Sequence, residues 1–390
     1  MTDSLQMFQT LMRAFVKDIP RAAWGDIRRL VTLAWAAVGL CLSKKVSLSD
    51  WGEATVSRAR QAASRTRRFA RWMDNAKVQV QPVYAPLLRA ALRHWQPVGR
   101  VYLALDVSVI KGSPFVLIRV SLIYRGRAIP VAWRVLRHAS ATVGFADYKV
   151  VLEQAKNCLP ASLTVVLLAE RGFVHAELVQ WLRQAHWHYR LRLTGDTLIH
   201  LPDRRVIAVA QLCPPTGEAH FYHGVRLLGQ AIGPLHLALA QLDAPNQDPW
   251  YLVSDEPTDL TTLDEYGQRF DVEENFLDDK SNGFQVEASR LTEPAALERL
   301  FLVLAVATLH CTSVGVAVVQ RKLRHWVDTH WDRGMSYLKI GWSWLRQQYR
   351  RRWPVLPPFC LDPEPDPEPA VASRRQAARP GPKWRTVFNC

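Results

Sequence analysis

The stretch "VYLALDVSVI", Val101–Ile110, decides the fold: its branched and aromatic residues read as a β-strand with one carboxylate, Asp106, in the middle. Working outward, "FVLIRVSLIY" (Phe115–Tyr124), a turn at Arg125–Arg127 and "AIPVAWRVL" (Ala128–Leu136) read as two further antiparallel strands. The spacing then predicts a helix over Phe145–Asn157 and a short apolar strand, "LTVVLLA", that runs directly into "ERGF" at Glu170. A helix over His175–Gln184 and a fifth strand in "HYRLRLTG" complete a β-β-β-α-β-α-β order. This order predicts an α/β fold, a mixed five-stranded sheet with flanking helices.

In an open sheet, sites lie at strand ends. Adjacent strands run about 4.8 Å apart, so Asp106 and Glu170 face each other if strands one and four are neighbours. Taken alone, Asp106 reads equally well as a hydrogen-bonded or strand-edge aspartate, and Glu170 is no more informative. A third segment adds weight. "YGQRFDVEENFLDDK", Tyr266–Lys280, carries seven charged side chains without a clean apolar stripe. At about 100° per residue, Tyr266, Arg269, Glu273 and Lys280 fall within roughly 60° of one another. Phe270, Phe276 and Leu277 flank that face, so the four polar groups are expected to look inward. The competing reading is a solvated charged helix. Inward-facing charges are costly unless paired with ions or counter-charges. A cluster of Asp106, Glu170 and Glu273 repels itself unless cations neutralise it, and two Mg²⁺ ions roughly 3.5 to 4 Å apart are the usual answer in phosphodiester chemistry.

Composition points the same way. Fifty Lys+Arg against 35 Asp+Glu leave a formal charge of +15, which favours a polyanionic partner, nucleic acid or an anionic membrane face. "SRARQAASRTRRFARWM" places Arg58, Arg60, Arg65, Arg67, Arg68 and Arg71 among Phe69 and Trp72. The choice there is between a solvated helix face and a set of phosphate contacts. Six scattered cysteines without a C-x-x-C pair suggest neither a zinc site nor a disulfide framework, and reduced thiols in a cytosol fit them. No secretory leader pattern is seen. The apolar run Phe301–Val319 nearly reaches membrane-spanning length, but its polar residues, His310 among them, read as belonging to a buried core helix.

The expected organisation is a helical DNA-binding domain over 1–95, the first part of the α/β core over 96–195, a β-rich insertion over 196–255, the last part of the core with its C-terminal helices over 256–353, and a disordered tail over 354–390. In the first of these, Ala22–Leu42 and a second helix capped at Ser49 or Asp50 are expected.

These motifs resemble the DDE transposases of bacterial insertion sequences, specifically the insertion-sequence-four family. The family signature Y-x2-R-x3-E-x6-K is filled by Tyr266, Arg269, Glu273 and Lys280. "LALDVS", "LLAERGF", "KSNGFQVEASR" and "RGMSYLKIGWSWLR" match flanking motifs, so the resemblance covers about residues 60 to 350. It implies a ribonuclease H-like core in which Asp106, Glu170 and Glu273 are catalytic and hold Mg²⁺, with Mn²⁺ able to substitute. It further implies that Tyr266, Arg269 and Lys280 hold DNA phosphates, that Trp250 stacks on a flipped base, and that the N-terminal helices, with Arg65, Arg67 and Arg68, bind terminal inverted repeats. A Trp opening a strand is also commonly a core residue. The implied partners are double-stranded DNA, both element ends and target, and a second copy of the chain in the DNA complex, in a cytoplasmic, nucleoid-associated setting. There is one departure. Glu170 stands where the family carries Asp, which raises the alternative of an impaired, DNA-binding descendant. Asp147 and Asp255 are the acids considered as substitutes.

Overall fold

The computed structural model describes residues 3–95, 99–110, 114–138, 140, 142–227, 232–241, 248–272, 279, 283–369 and the backbone of 385–389. The chain begins with helices α1 (Asp3–Asp18), α2 (Arg21–Trp24), α3 (Ile27–Ser43), α4 (Leu48–Ala54), α5 (Ala62–Met73) and α6 (Val80–Ala91). Helix α4 starts two or three residues earlier than its sequence suggests. Ser47 is the N-cap, its hydroxyl accepting from the Asp50 N–H at 3.3 Å, while Asp50 serves as partner of Lys45 at 2.8 Å.

Strands β1 (Arg100–Ile110), β2 (Phe115–Tyr124) and β3 (Arg127–Arg137) form an antiparallel meander. The tight turn between β2 and β3 has Arg125 at φ 50° and Gly126 at φ 77°, the left-handed pair that a two-residue hairpin requires. Helix α7 (Phe145–Cys158), β4 (Thr164–Ala169), α8 (Ala176–Ala185) and β5 (His188–Arg192) follow in the expected order. Strand β4 pairs with β1 in parallel, and β5 with β4 in parallel.

The β-rich segment does not form a separate sheet. Strands β6 (Leu198–His200), β7 (Val206–Ala208), β8 (Glu218–Leu227), β9 (Ile232–Ala240) and β10 (Trp250–Ser254) extend the same one. Strand β10 pairs antiparallel with β5 and with β9, giving the order β3-β2-β1-β4-β5-β10-β9-β8-β6-β7. A fifth strand left at the edge would expose unpaired backbone groups, and β10 covers them.

Helix α9 (Leu260–Gly267) leads into the signature segment, α10 (Pro294–Gln320) runs through the centre, and α11 (Tyr337–Leu345) packs across it. A Cβ on Gly315 would sit 2.0 Å from the Tyr337 carbonyl oxygen and one on Gly341 1.8 Å from that of Cys311. Glycine at both positions is what lets the two helices touch. By length and composition α10 could cross a membrane, but 94% of its most apolar window is buried within the protein. It packs against β3, α3, α5 and α6, so the N-terminal helices share one hydrophobic core with the sheet instead of standing apart. Polar ties reinforce this: Arg299 donates to the carbonyls of Val78 and Met73, and the Tyr84 hydroxyl to that of Pro130 at 2.7 Å.

The tail departs from its expected disorder over 354–369. Leu356, Phe359 and Leu361 are buried, and the acid–proline run "DPEPDPEP" is strapped to basic side chains. Asp362 meets Arg125 at 3.0 Å, Asp366 meets Arg333 at 2.8 Å, and Glu368 meets Arg324 at 2.5 Å. Composition suggested a chain with too few apolar groups to fold; the arginines waiting on the body of the protein reverse that. Strand β11 (Arg385–Asn389) pairs in parallel with β8.

Candidate active site

The β1–β4 register sets Leu105 opposite Ala169. One residue further on, Asp106 on β1 lies beside Glu170, which follows the last residue of β4. Asp106, midway along β1, is thus level with the C-terminal end of the parallel neighbour β4. Glu170 is also the N-cap of a one-turn 3₁₀ helix, Arg171–Phe173, which steers the chain away from the sheet.

Helix α9 is capped by Asp259, which accepts from the N–H groups of Thr261 and Thr262. It tightens into a 3₁₀ turn over Gln268–Phe270, so the continuous helix expected from the spacing is interrupted just after Tyr266. Tyr266 and Arg269 nevertheless face inward, and both side chains are almost wholly buried. The Arg269 guanidinium lies 2.7 Å from Glu170 and 3.8 Å from Asp106, bridging the two carboxylates. The Tyr266 hydroxyl donates to Glu170 Oε1 at 3.1 Å. Glu273 and Lys280, the other half of the signature, lie outside the described residues.

Three residues that the sequence reading passed over belong to this neighbourhood. Arg192, at the end of β5, places its guanidinium 3.6 Å from Glu170 Oε1 and donates to the Pro249 carbonyl at 3.1 Å. Arg119 on β2 is the cross-strand partner of Asp106, and it forms a fully buried ion pair with Asp279 at 2.5 Å. That pair anchors the far end of the signature segment to the sheet. A lone arginine inside the apolar run "FVLIRVSLIY" was the available signal for it.

The electrostatics are uneven. Burial pushes the Asp106 carboxyl above its usual range even though Arg269, the Val107 N–H and Arg119 pull it down. Burial, with the neighbouring Glu170, also raises the Tyr266 phenol, so it stays protonated as a donor. An aspartate whose charge remains costly beside an arginine is a place where additional positive charge is favourable. Both carboxylates are hard oxygen donors of the kind Mg²⁺ and Mn²⁺ accept. On donor chemistry and on this electrostatic deficit, the residues present fit a divalent cation.

Trp250 opens β10 beside the same residues. Its ring meets Tyr266 edge-on at 5.4 Å and stacks on Phe270 at 5.9 Å. Phe270 is 40% exposed, and the Arg269 guanidinium lies 5.0 Å from its ring centre. An aromatic surface therefore borders the carboxylates.

Other expectations separate from the site. Arg65, Arg67 and Arg68 lie on α5, which packs against α3, α4 and α10. Arg67 is exposed, Arg65 donates to the Ala59 carbonyl at 3.2 Å, and Arg68 turns inward to Thr32 at 3.1 Å, where burial lowers its pKa. The two acids considered as substitutes for Glu170 have partners of their own. Asp147 accepts from the Gly144 N–H at the start of α7. Asp255 accepts from the Tyr189 N–H and pairs with His188 at 2.7 Å, at the other end of β5, about 13 Å along the strand from Arg192. His188, Asp255 and Glu256 do converge, but Arg190 and Arg100 pair with Glu256 at 2.9 and 2.5 Å. Their negative charge is already met.

No protein-family model matches the chain, and no curated protein matches it. Among solved structures it is similar to the piggyBac transposase in a synaptic complex with hairpin DNA. The identity is 13%, over 90% of this chain and 82% of that one, and the TM-score is 0.44.

Proposed function

We propose that the chain is a metal-dependent nucleic-acid strand transferase built on a ribonuclease H-like core, the β3-β2-β1-β4-β5 part of the sheet. More narrowly, we read it as a DDE transposase that cleaves and joins DNA at the terminal inverted repeats of an insertion sequence, by cut-and-paste. The observation that carries this reading is the meeting of Asp106 and Glu170, far apart in the chain, on adjacent parallel strands under one arginine.

Asp106 and Glu170, with Glu273 from the signature, would hold the Mg²⁺ or Mn²⁺. When bound, such ions activate an attacking oxygen and steady a leaving one. The protein's own part is positioning and charge. Arg269 and Arg192 present guanidinium groups beside the carboxylates, which suits them to a scissile phosphate arriving at the same place. Tyr266, kept protonated by burial, orients Glu170. Trp250 and Phe270 offer stacking surface to a base displaced near the cut, an interaction worth about 1 to 3 kcal/mol per base. Exposed Arg58, Arg60, Arg67 and Arg71 suit duplex phosphates. A homodimer on DNA and a nucleoid-associated location in the cytoplasm belong to the same proposal.

A second reading is a DNA-binding descendant with weakened catalysis. Glu170 Oε1 already gathers Tyr266, Arg269 and Arg192, which is the observation in its favour. The test is cleavage of DNA carrying the sequences that flank the reading frame. Wild-type protein should nick these ends with Mg²⁺ and not with EDTA, Asp106→Asn should abolish nicking, and both should bind. Nicking by Asp106→Asn at the wild-type rate would sink the proposal; binding without nicking by the wild type would select the second reading.

A further inference from the structure

Beyond the carboxylate site, the C-terminal region carries a surface that nothing above uses. Three tryptophans form one stack: Trp326 lies nearly parallel to Trp344 (centroids 5.7 Å apart, 22° between planes), and Trp353 meets Trp344 at 4.6 Å and Trp326 at 5.4 Å. Trp344 is fully buried and anchors the group, whereas Trp326 is 50% exposed. The half-exposed ring of Trp326 thus rests on a buried aromatic base.

The rigidity comes from below. Trp326 ends a 3₁₀ turn, Arg324–Trp326, and the buried Arg324 side chain ties that turn down by donating to Asp328 at 3.2 Å and to the carbonyls of His330 at 2.9 Å and Trp331 at 2.8 Å. The ring is therefore held in place before any partner arrives, which spares a partner the entropy of ordering it.

Cations flank two of the three tryptophans in the sequence. Arg321 and Lys322 immediately precede the turn that carries Trp326, and Arg350, Arg351 and Arg352 immediately precede Trp353. All five are exposed, and among the described residues none forms an ion pair. The Arg351 guanidinium lies 5.5 Å from the Trp353 ring centre. Lys322 and Arg352 both adopt left-handed backbone, at φ 59° and 55°, so each run of cations sits where the chain turns sharply.

We infer that this platform is a second nucleic-acid contact, which takes an unpaired stretch of single-stranded DNA: a base on the open face of Trp326 and the adjoining phosphates on Arg350–Arg352 and Arg321–Lys322. Flat rings among exposed cations match the alternation of bases and phosphates in an unpaired strand. An anionic membrane would satisfy the cations but would call for side chains free to insert, and these rings are locked in a stack. The inference stands on this surface alone and does not require the carboxylate chemistry.

The test is fluorescence anisotropy of the full chain with a labelled oligo-dT and with a duplex of equal length, across a salt series. Trp326→Ala should weaken oligo-dT binding about five- to a hundredfold at fixed salt, and Trp326→Phe should restore most of it. The triple change Arg350→Gln, Arg351→Gln and Arg352→Gln should reduce the salt slope by about 2, given roughly 0.7 per phosphate on a single strand. Arg205→Gln, at an exposed arginine of the β6–β7 turn, should change neither quantity. Asp106→Asn should bind oligo-dT like the wild type, which separates this result from failure of the cleavage proposal. Unchanged affinity and slope in both the Trp326→Ala and the triple variants would overturn the inference. So would loss of binding to phosphatidylserine vesicles in these variants with oligo-dT binding intact, which would make the surface a membrane contact.

Discussion

Replacing Arg269 with Met keeps a side chain of similar length and removes the one charge that lies 2.7 Å from Glu170 and 3.8 Å from Asp106. At an effective dielectric of about 20, those distances correspond to gross attractions of about 6 and 4 kcal/mol. Much of that offsets the cost of burying the guanidinium, so the net loss expected is that of breaking a buried pair, about 3 to 5 kcal/mol. With an unfolding entropy of about 2.1 cal/mol/K per residue, a chain of this length loses about 1 °C in Tm per kcal/mol, and Arg269→Met should melt about 4 to 6 °C below the wild type. The variant then has two facing carboxylates with their principal counter-charge gone. Mg²⁺ should rescue it: at a hundredfold excess over its Kd, a cation bound to the folded state adds about 2.7 kcal/mol, or about 3 °C. Thermal unfolding of both proteins in EDTA and in saturating MgCl₂ measures this. If Arg269→Met gains nothing from Mg²⁺, Asp106 and Glu170 are not a cation site, and the bridging arginine is simply part of the core.

Other consequences are open to measurement. His310 is fully buried in α10, neither ring nitrogen has a hydrogen-bond partner among the described residues, and burial pulls its pKa down to about 4. The unfolded chain takes up a proton near pH 6.5 that the folded chain refuses, so this contribution is intact above pH 6.5 and is lost as pH falls towards 4, by up to about 3 kcal/mol. Urea unfolding of His310→Leu should lack that slope, and an unchanged slope would refute the assignment. Glu170→Asp should lower Mg²⁺-dependent nicking about a hundredfold, because the shorter side chain draws its carboxylate away from Arg269 and Tyr266; faster nicking would show that the longer side chain is a defect. Asp366→Ala strips the buried Arg333 of its carboxylate and the Tyr337 hydroxyl of its acceptor. It should cost about 3 to 5 kcal/mol and open the acid–proline strap to limited proteolysis, and a wild-type digestion pattern would show that the strap holds without it.

The legible parts of the fold were those governed by local pattern. Strand alternation and turn residues placed β1 to β4 and the helices between them to within a residue or two, and β5 to within three, because side-chain periodicity is a property of consecutive positions. Edge pairing is not local. Nothing in Trp250–Ser254 says that this segment will lie against β5, so the insertion was expected as a separate β-rich block and the structure makes it a continuation of the sheet. The strap misled for a similar reason: its charge and proline content describe a chain that cannot collapse on itself, and are silent about Arg125, Arg324 and Arg333 elsewhere.

In the candidate site, the residue types were readable and their partners were not. Asp106 and Glu170 were weak signals taken singly, Tyr266 and Arg269 shared one helical face by spacing, and it was their combination, with the resemblance to a known signature, that singled them out. That Arg269 bridges the two acids, that Arg192 arrives from β5, and that Arg119 pairs with Asp279 depend on which strands lie side by side and on how α9 tightens into a 3₁₀ turn. Those are outcomes of long-range packing, in which the burial of one element is settled by the shape of another. So the chain's order of residues determined what kinds of groups would be buried, and only the tertiary structure decided which of them would meet.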